Sequence, residues 1–320
     1  MTASGGVVSC VVSDEPRPSG GDVVVAVEWS GVNFKDSMVI SPTSRVRRAE
    51  RLIGGVDAAG TVVASLSPDL AVGTRVAVHG GDMGVGRDGG FAQYVASPRR
   101  YVTALPDNVS TRTAMVLGTA GFTALASILA LEDHGLRRDA GDVLVTGATG
   151  GVGSWAVAAL AARGYHVTAS TGSAASASWL RTHGAMEIIG RDEIADRPDR
   201  VLATERWAGA IDCVGGDTLH QILRSLRYGA AVAASGLVAS ADLVTNVYPF
   251  ITRSVALLGI DAVEASSHTR TSTWNLASQI IDQIDVDGLV DSEVSLEELP
   301  AALESIGRGA TQGRILVRPN

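Results

Sequence analysis

Residues 143–173 read VLVTGATGGVGSWAVAALAARGYHVTASTGS, and this stretch decides the fold of the chain. Read in order, it predicts a strand over Val143–Thr146, a turn with Gly147, Gly150 and Gly153, a helix over Ser154–Arg163 and a strand over His166–Ser170. A glycine-rich turn in that context is typical of a dinucleotide-binding unit. One glycine allows the tight turn, one lets the backbone approach a pyrophosphate, and one lets the helix pack closely on the sheet. The helix N-terminus then offers free N–H groups to the phosphates.

The same alternation of strand and helix continues along the chain. Six apolar segments are candidate strands: Val143–Thr146, Val167–Ser170, Glu187–Ile189, Ala210–Val214, Ala230–Ser235 and Val255–Ile260. An apolar, alanine-rich helix over Ala114–Leu131 precedes them. Alternation of this kind predicts the α/β class, with a doubly wound parallel sheet and right-handed crossovers.

The N-terminal third has a different pattern, that of a small β-barrel domain. Turn signals separate four candidate strands: Val23–Trp29, Gly60–Ala64, Thr74–His79 and Phe91–Val95. A short, isolated last strand over Arg314–Arg318 is expected to join this domain. We therefore predict a β domain over residues 1–113 and 256–320, and a nucleotide-binding domain over residues 114–255.

Composition narrows the classes of function. A net charge of −8 argues against a nucleic-acid binder, which usually has a basic face. Cys10 and Cys213 are too few for a structural zinc site and do not form a CxxC pair. We see neither a signal-peptide pattern nor an apolar run of about 18 residues. We expect a cytoplasmic protein that acts on a small molecule, without a nucleic-acid or membrane partner.

The end of the second strand of the nucleotide unit indicates which dinucleotide binds. An NAD-specific unit carries an acidic residue there for the ribose 2′-hydroxyl. Residues 169–173 read ASTGS, with no Asp or Glu. Hydroxyl and backbone N–H groups can instead bind a 2′-phosphate, so the sequence favours NADP over NAD. Arg191, after the third strand, either adds a positive charge or is a solvated surface arginine.

Many further segments follow the order of a known family. They are GVNFKD (31–36), GVDAAGTV (55–62), GGFAQY (89–94), LGTAGFTA (117–124), ALEDHG (130–135), VTGATGGVGS (145–154), ASTG (169–172), WAGAIDCVGG (207–216), RYGAAVAASG (227–236), PFITRSVALLGID (249–261) and GRILV (313–317). With them the chain resembles the medium-chain dehydrogenase/reductase superfamily, in its zinc-free quinone-oxidoreductase branch, and within it the acrylyl-CoA reductase family.

The resemblance implies a GroES-like β domain from both chain ends and a Rossmann domain between them. It further implies NADPH as the hydride donor, an α,β-unsaturated acyl-CoA such as acrylyl-CoA as the substrate, and a homodimer. Zinc-dependent members carry a Cys where this chain has Asn33, and GHE where it has Gly55-Val56-Asp57. Asn33 and Val56 cannot replace those ligands, so we expect no metal.

The resemblance also implies the site residues. Asn33, Lys35 and Asp36 are the catalytic candidates. Asn33 either donates a hydrogen bond to the substrate oxygen or stabilises a turn, and Lys35 and Asp36 are either catalytic or a structural ion pair. The predicted cofactor contacts are Phe34, Thr149, Gly150, Gly151, Val152, Ser170, Thr171, Gly172, Ser173, Arg191, Leu237 and Ile251.

Departures from the family pattern keep other functions open. Phe34 replaces the usual tyrosine, and Ser173 stands where an Arg or Lys is usual. A quinone or enone reductase, an enoyl reductase on carrier-bound acyl chains, and a crystallin-like NADPH-binding protein without catalysis are the alternatives. A cluster of arginines at 45, 47, 48 and 51 is either a solvated loop or, through Arg47 and Arg48, a contact for coenzyme A phosphates.

Overall fold

The computed structural model describes residues 2–4, 7–9, 21–41, 44–196 and 200–319, and the chain divides into two compact units. The first, which we call the β unit, comprises Met1–Phe122, Ala262–Ser278 and Val286–Asn320. The second, the α/β unit, comprises Thr123–Asp261 and Gln279–Asp285. Both predicted domains are therefore present, each with its own sheet.

The β unit is built on a seven-stranded sheet. Its strands, after a separate hairpin of β1 (Thr2–Ser4) and β2 (Val7–Ser9), are β3 (Val23–Val32), β4 (Asp57–Ser65), β5 (Arg75–His79), β6 (Tyr94–Ser97), β7 (Val102–Ala104), β14 (Val290–Ser295) and β15 (Arg314–Arg318). The order is β14-β15-β3-β4-β5-β7, and β6 pairs with β3. The last strand, β15, lies antiparallel to β3, so the chain end does return to this sheet as predicted.

Alternation of side chains explains the core of the β unit. Val23, Val25 and Val27 are successive inward-facing residues of β3 and are buried in one cluster with Val76 and Val78 of β5. Two short helices lie outside the sheet, α1 (Phe34–Ile40) directly after β3 and α8 (Leu299–Gly307) before β15. The sequence did not predict α1, which carries most of the catalytic candidates.

The α/β unit contains the predicted doubly wound sheet. Its strands are β8 (Val143–Thr146), β9 (Val167–Ser170), β10 (Glu187–Ile189), β11 (Gly209–Asp212), β12 (Ala231–Ala234) and β13 (Ala256–Gly259). All neighbouring strands are parallel, in the order β10-β9-β8-β11-β12-β13. The helices between them are α3 (Gly151–Ala162), α4 (Ala177–Thr182), α5 (Gly216–Ser225) and α6 (Tyr248–Arg253). This order is that of a Rossmann sheet.

A long helix, α2 (Thr111–Asp133), passes from the β unit into the α/β unit. It is broken at Gly118, where φ is 51° and ψ is −161°. By length and hydropathy this helix could cross a membrane, which we did not expect from the sequence. However, 83% of its most apolar 18-residue stretch is buried inside the protein. That burial is what the core helix of a folded domain shows. A further helix, α7 (Ser267–Ile280), lies near the chain's return to the β unit.

The boundaries differ from the predicted ones. The units divide after Phe122 and after Asp261, whereas we predicted divisions after residues 113 and 255. Because β13 pairs with β12 along its whole length, residues 256–259 belong to the parallel sheet. Residues 279–285 are also part of the α/β unit.

Candidate active site

The turn after β8 leaves room for another group to approach its backbone. Gly147 has a φ of +59°, and a Cβ on Gly153 would lie 2.2 Å from the Gly147 carbonyl oxygen. A Cβ on Gly150 would meet only that same oxygen, at 3.4 Å. Because α3 begins immediately afterwards, the turn and the helix N-terminus fit a pyrophosphate. The predicted contacts here are all half-buried: Thr149, Gly150, Gly151 and Val152.

A buried carboxylate fixes the strand ends beside this turn. Asp212, at the end of β11, accepts a 2.5 Å hydrogen bond from the Thr146 hydroxyl at the end of β8. It also accepts bonds from the N–H groups of Gly215, at 2.9 Å, and Val214, at 3.2 Å. Burial raises the pKa of Asp212, and these donors oppose the rise. The strand order reverses between β8 and β11, which is where such sheets bind ligands.

The end of β9 presents hydroxyl groups and a nearby arginine. Ser170 is buried, and Ser173 donates its N–H to the Thr171 hydroxyl over 3.0 Å. The Arg191 guanidinium lies across Gly172, since a Cβ there would be 2.8 Å from Arg191 Nη2. Arg191 is exposed and forms no ion pair with any described residue. Together these groups could bind a phosphate monoester.

Two further predicted cofactor contacts are exposed apolar side chains. Leu237 follows β12 and is 51% exposed, and Ile251 lies on α6 and is 71% exposed. Because parallel strands end at one edge of the sheet, Leu237 lies on the same edge as the turn after β8. Ile251 lies on a helix, so the strand register does not place it at that edge of the sheet.

In the β unit, the predicted catalytic residues lie in the segment 33–36, where β3 ends and α1 begins. Asn33 and Asp36 are buried, at 8% and 2% exposure. Asp36 accepts hydrogen bonds from the Asn33 N–H, at 2.8 Å, and the Val56 N–H, at 3.1 Å. Burial, followed by the nearby Asp57 carboxylate, raises the pKa of Asp36 from 3.8 to about 7. The hydrogen-bond donors to Asp36 are backbone N–H groups, and Asp36 forms no ion pair with Lys35.

The other two residues of this segment are more accessible. Phe34 is 37% exposed and Lys35 is half-buried. The Lys35 ammonium has neither an ion pair nor a hydrogen bond to any described residue. Among the described residues, Lys35 is thus the one predicted catalytic side chain whose donor has no partner.

Asn33 also contacts a buried ion pair that we did not predict from the sequence. Arg314 and Asp57 are 2% and 0% exposed, with Arg314 Nη2 3.6 Å from Asp57 Oδ2. Burial lowers the pKa of Arg314, while Asp57 and Asp36 act in the opposite sense. In the sequence, Asp57 and Arg314 are visible only as charged residues at the start of the apolar strands β4 and β15. They lie 257 positions apart, and a single sequence does not show that two such distant residues are in contact.

The position of a zinc ligand in related enzymes is apolar here. Val56 is 7% exposed and packs with Val39 and Val85. Within the described part of the chain, no three His, Cys, Asp or Glu residues are grouped so that they could hold a metal ion. Burial raises the pKa of Cys213 to about 12, so its thiol is a poor ligand or nucleophile, and Cys10 lies outside the described residues.

The arginine cluster follows α1 in the β unit. Arg45, Arg48 and Arg51 are exposed and Arg47 is half-buried, and none has an ion pair among the described residues. The Arg47 Nη1 atom is buried and lacks a hydrogen-bond partner. Together with Glu50, the segment 45–51 thus carries a net positive charge on a chain of net charge −8.

A Rossmann unit whose glycine turn fits a pyrophosphate, together with a mainly antiparallel β unit, is the architecture of nucleotide-dependent dehydrogenases and reductases. Residues 19–107 match the alcohol dehydrogenase GroES-like domain, and residues 151–281 match the zinc-binding dehydrogenase family. The acrylyl-CoA reductase AcuI of Ruegeria pomeroyi is 41% identical over 94% of this chain and 91% of its own length. The chain belongs to the medium-chain dehydrogenase/reductase family, in the branch of the quinone oxidoreductases and acrylyl-CoA reductases.

Solved structures agree with this assignment. YhdH of E. coli K-12 with bound NADPH superposes with a TM-score of 0.93 at 39% identity, covering 98% of this chain and 96% of that one. The Bacillus subtilis protein yhfP with NAD bound gives a TM-score of 0.91 at 43% identity, covering 96% and 93%. The predicted fold class is confirmed, as is the predicted class of protein, an oxidoreductase with a nicotinamide cofactor.

Proposed function

We propose that this protein reduces the activated C=C bond of an α,β-unsaturated acyl-CoA, such as acrylyl-CoA, with NADPH as the hydride donor. The similarity to an acrylyl-CoA reductase over 94% of the chain carries the proposal. The nicotinamide, when bound, supplies a hydride to the β-carbon of the thioester. The α-carbon then takes up a proton, which completes the reduction to the saturated thioester. The protein binds the two molecules and stabilises the charge that develops between these two steps.

We assign to Lys35 the stabilisation of the negative charge that develops on the substrate. Hydride addition makes the thioester oxygen negative, and a donor aimed at it lowers the barrier. The Asn33 amide is bonded inside the β unit, whereas the Lys35 ammonium has no partner among the described residues. Replacing Lys35 by Met should lower kcat by about 10²–10³-fold, the usual effect of removing such a donor. Unchanged turnover in Lys35→Met would exclude this role.

The choice of NADPH over NADH is assigned to Arg191 and the hydroxyls after β9. A charge-assisted hydrogen bond to phosphate is worth about 1.5–3 kcal/mol, or roughly 10- to 100-fold in Kd. Arg191→Ala should weaken NADPH binding by that factor and leave NADH binding unchanged. Arg181→Ala, which removes an exposed arginine of α4, is the matched control. Equal losses for both cofactors would contradict the assignment.

We assign the binding of coenzyme A to the positive patch around Arg47 and Arg48. The phosphates of coenzyme A are negative, and Arg48 is an exposed arginine without an ion pair among the described residues. The double variant Arg47→Ala/Arg48→Ala should raise KM for an acyl-CoA while KM for a free enone stays constant. A KM for acyl-CoA that does not change would rule out this contact.

The decisive assay follows NADPH oxidation with acrylyl-CoA, crotonyl-CoA and a quinone in parallel. Turnover highest with acrylyl-CoA supports the proposal. A preference for the quinone would favour a quinone reductase, a function suggested by a Bacillus subtilis relative of that name at 44% identity. Binding of NADPH without turnover of any acceptor would favour a non-catalytic binding protein.

We also propose a homodimer formed through β13. This strand is the last in the sheet order, and an unpaired strand edge is suited to pair with a second copy. Exposed apolar side chains lie on and just before it, with Leu257 at 38% and Tyr248 at 51% exposure.

A further inference from the structure

Asn33 stands at the N-cap of α1, but its side chain does not cap the helix. An N-cap Asn normally accepts a hydrogen bond from the first helical turn through its side-chain oxygen. Here that oxygen accepts a 3.1 Å bond from Arg314 Nη1. The Asp36 N–H donates instead to the backbone carbonyl of Asn33. The Asn33 amide group donates to Asp57 Oδ2 over 3.0 Å and to the Gly31 carbonyl over 3.3 Å. Every hydrogen-bonding atom of the carboxamide is therefore occupied within the β unit.

The two charges that hold Asn33 are themselves held at the break in α2. Arg314 Nε donates to the Val116 carbonyl over 3.2 Å, at the end of the first part of the helix. Asp57 Oδ2 accepts a 2.8 Å bond from the Thr119 N–H, at the start of the second part. A helix C-terminus favours a cation and a helix N-terminus favours an anion, so the break matches both signs.

Glycines provide the space for this arrangement. A Cβ on Gly31 or on Gly118 would lie 2.6 Å from Arg314 Nη2. The guanidinium also donates to the Val32 carbonyl over 3.1 Å, the residue before Asn33. Arg314 thus contacts the backbone and the side chain of the junction between β3 and α1.

We propose that Arg314 and Asp57 are positioning residues that fix the Asn33 carboxamide and so set the direction in which α1 presents Lys35. The amide cannot rotate by 180° without turning its N–H groups toward the guanidinium and its oxygen toward the carboxylate. Asp36 holds the Asn33 N–H from the other side. The start of α1 is thereby fixed through both side chain and backbone, two residues before Lys35. The statement that this direction matters for catalysis by Lys35 rests on the function proposed above.

Arg314→Lys is the test variant, because it retains the positive charge. An ammonium has three donors and lacks the planar fork with which Arg314 spans Asn33, Val32 and the helix break. We expect Arg314→Lys to lower kcat at least tenfold and to leave the Kd for NADPH unchanged. Arg112→Lys is the matched control: Arg112 is another β-unit arginine, ion-paired with Asp287 and Glu293, and its replacement should leave kcat unchanged.

A double-mutant cycle separates positioning from general stability. If Arg314 acts through Asn33, then Arg314→Lys should cause no further loss of kcat in an Asn33→Ala background. Losses that multiply, or an unchanged kcat in folded Arg314→Lys, would overturn the proposal. Should Arg314→Lys fail to fold, Asp57→Asn, which keeps the shape of the carboxylate, enters the same cycle with the same expectations.

Hydrogen exchange distinguishes failure of this proposal from failure of the proposed function. Kinetics would use whichever acceptor the wild-type protein reduces, acrylyl-CoA or a quinone. If it reduces neither, the proposed function fails, and amide exchange over residues 33–40 still reports on positioning. Faster exchange there in Arg314→Lys than in Arg112→Lys supports the fixed junction, and equal exchange overturns it.

Discussion

At the scale of single residues, the segment 33–36 divides its side chains between two tasks. Asn33 and Asp36 lie three positions apart, about one helical turn, and both are buried. Phe34 and Lys35 lie between them and are more exposed. The sequence predicted the segment as catalytic but could not separate these roles, because the partners of Asn33 and Asp36 come from Asp57, Val56 and Arg314. The Asn33 carboxamide is bonded to Asp57, to Arg314 and to the Gly31 carbonyl.

Asp36 should make folding stability depend on pH. Its pKa is raised from 3.8 to about 7, so the folded state binds the proton more tightly than the unfolded chain. The resulting stabilisation is present below pH of about 4 and is lost as the pH rises through about 7. Asp36→Asn removes this dependence. In urea unfolding from pH 4 to 7, the free energy of unfolding of the wild type should fall relative to the variant. A difference that is constant over this range would contradict the perturbed pKa.

At the scale of elements, the glycine turn assigns different tasks to two of its glycines. A Cβ on Gly153 would lie 2.2 Å from a carbonyl oxygen, whereas one on Gly150 would have that oxygen at 3.4 Å. Gly153→Ala should therefore cost about 2–3 kcal/mol of stability, in the range of overpacking, and also weaken NADPH binding. Gly150→Ala should leave the thermal midpoint within a degree or two and weaken NADPH binding alone. Calorimetry and NADPH titration test the pair, and equal midpoints for both variants would contradict it.

The elements that the sequence predicted best are those bounded by strong local signals. Strands β8, β10 and β15 begin and end where predicted, and β9 begins within one residue of the prediction, because short apolar runs lie between glycine, proline or polar turns. The helix α1 was missed because seven residues after a strand show no helical period. β14 was missed because its sequence, VDSEVS, is mostly polar. Its pairing with β15 decides its conformation, and that contact is not local.

At the scale of the whole molecule, each unit is assembled from separated segments of chain. The resemblance to a known family predicted that both chain ends form one domain, and β15 beside β3 agrees with it. The buried pair of Arg314 and Asp57 depends on that closure, since β15 brings the arginine and β4 the carboxylate. Composition and periodicity do not contain such a pairing, because it arises only after distant strands have met.

The last prediction concerns assembly. If β13 pairs with a second copy, the protein should sediment at about twice the chain mass of 32.9 kDa. Leu257→Lys places a charge on the exposed edge, a change that opposes strand pairing, and should shift the protein to the monomer. Leu66→Lys, at a side chain 87% exposed in the β unit, is the control and should remain dimeric. A wild-type protein at monomer mass, or a dimer that survives Leu257→Lys unchanged, would exclude this edge as the interface. Because cofactor contacts are assigned within one chain, NADPH affinity should be the same in the monomeric variant.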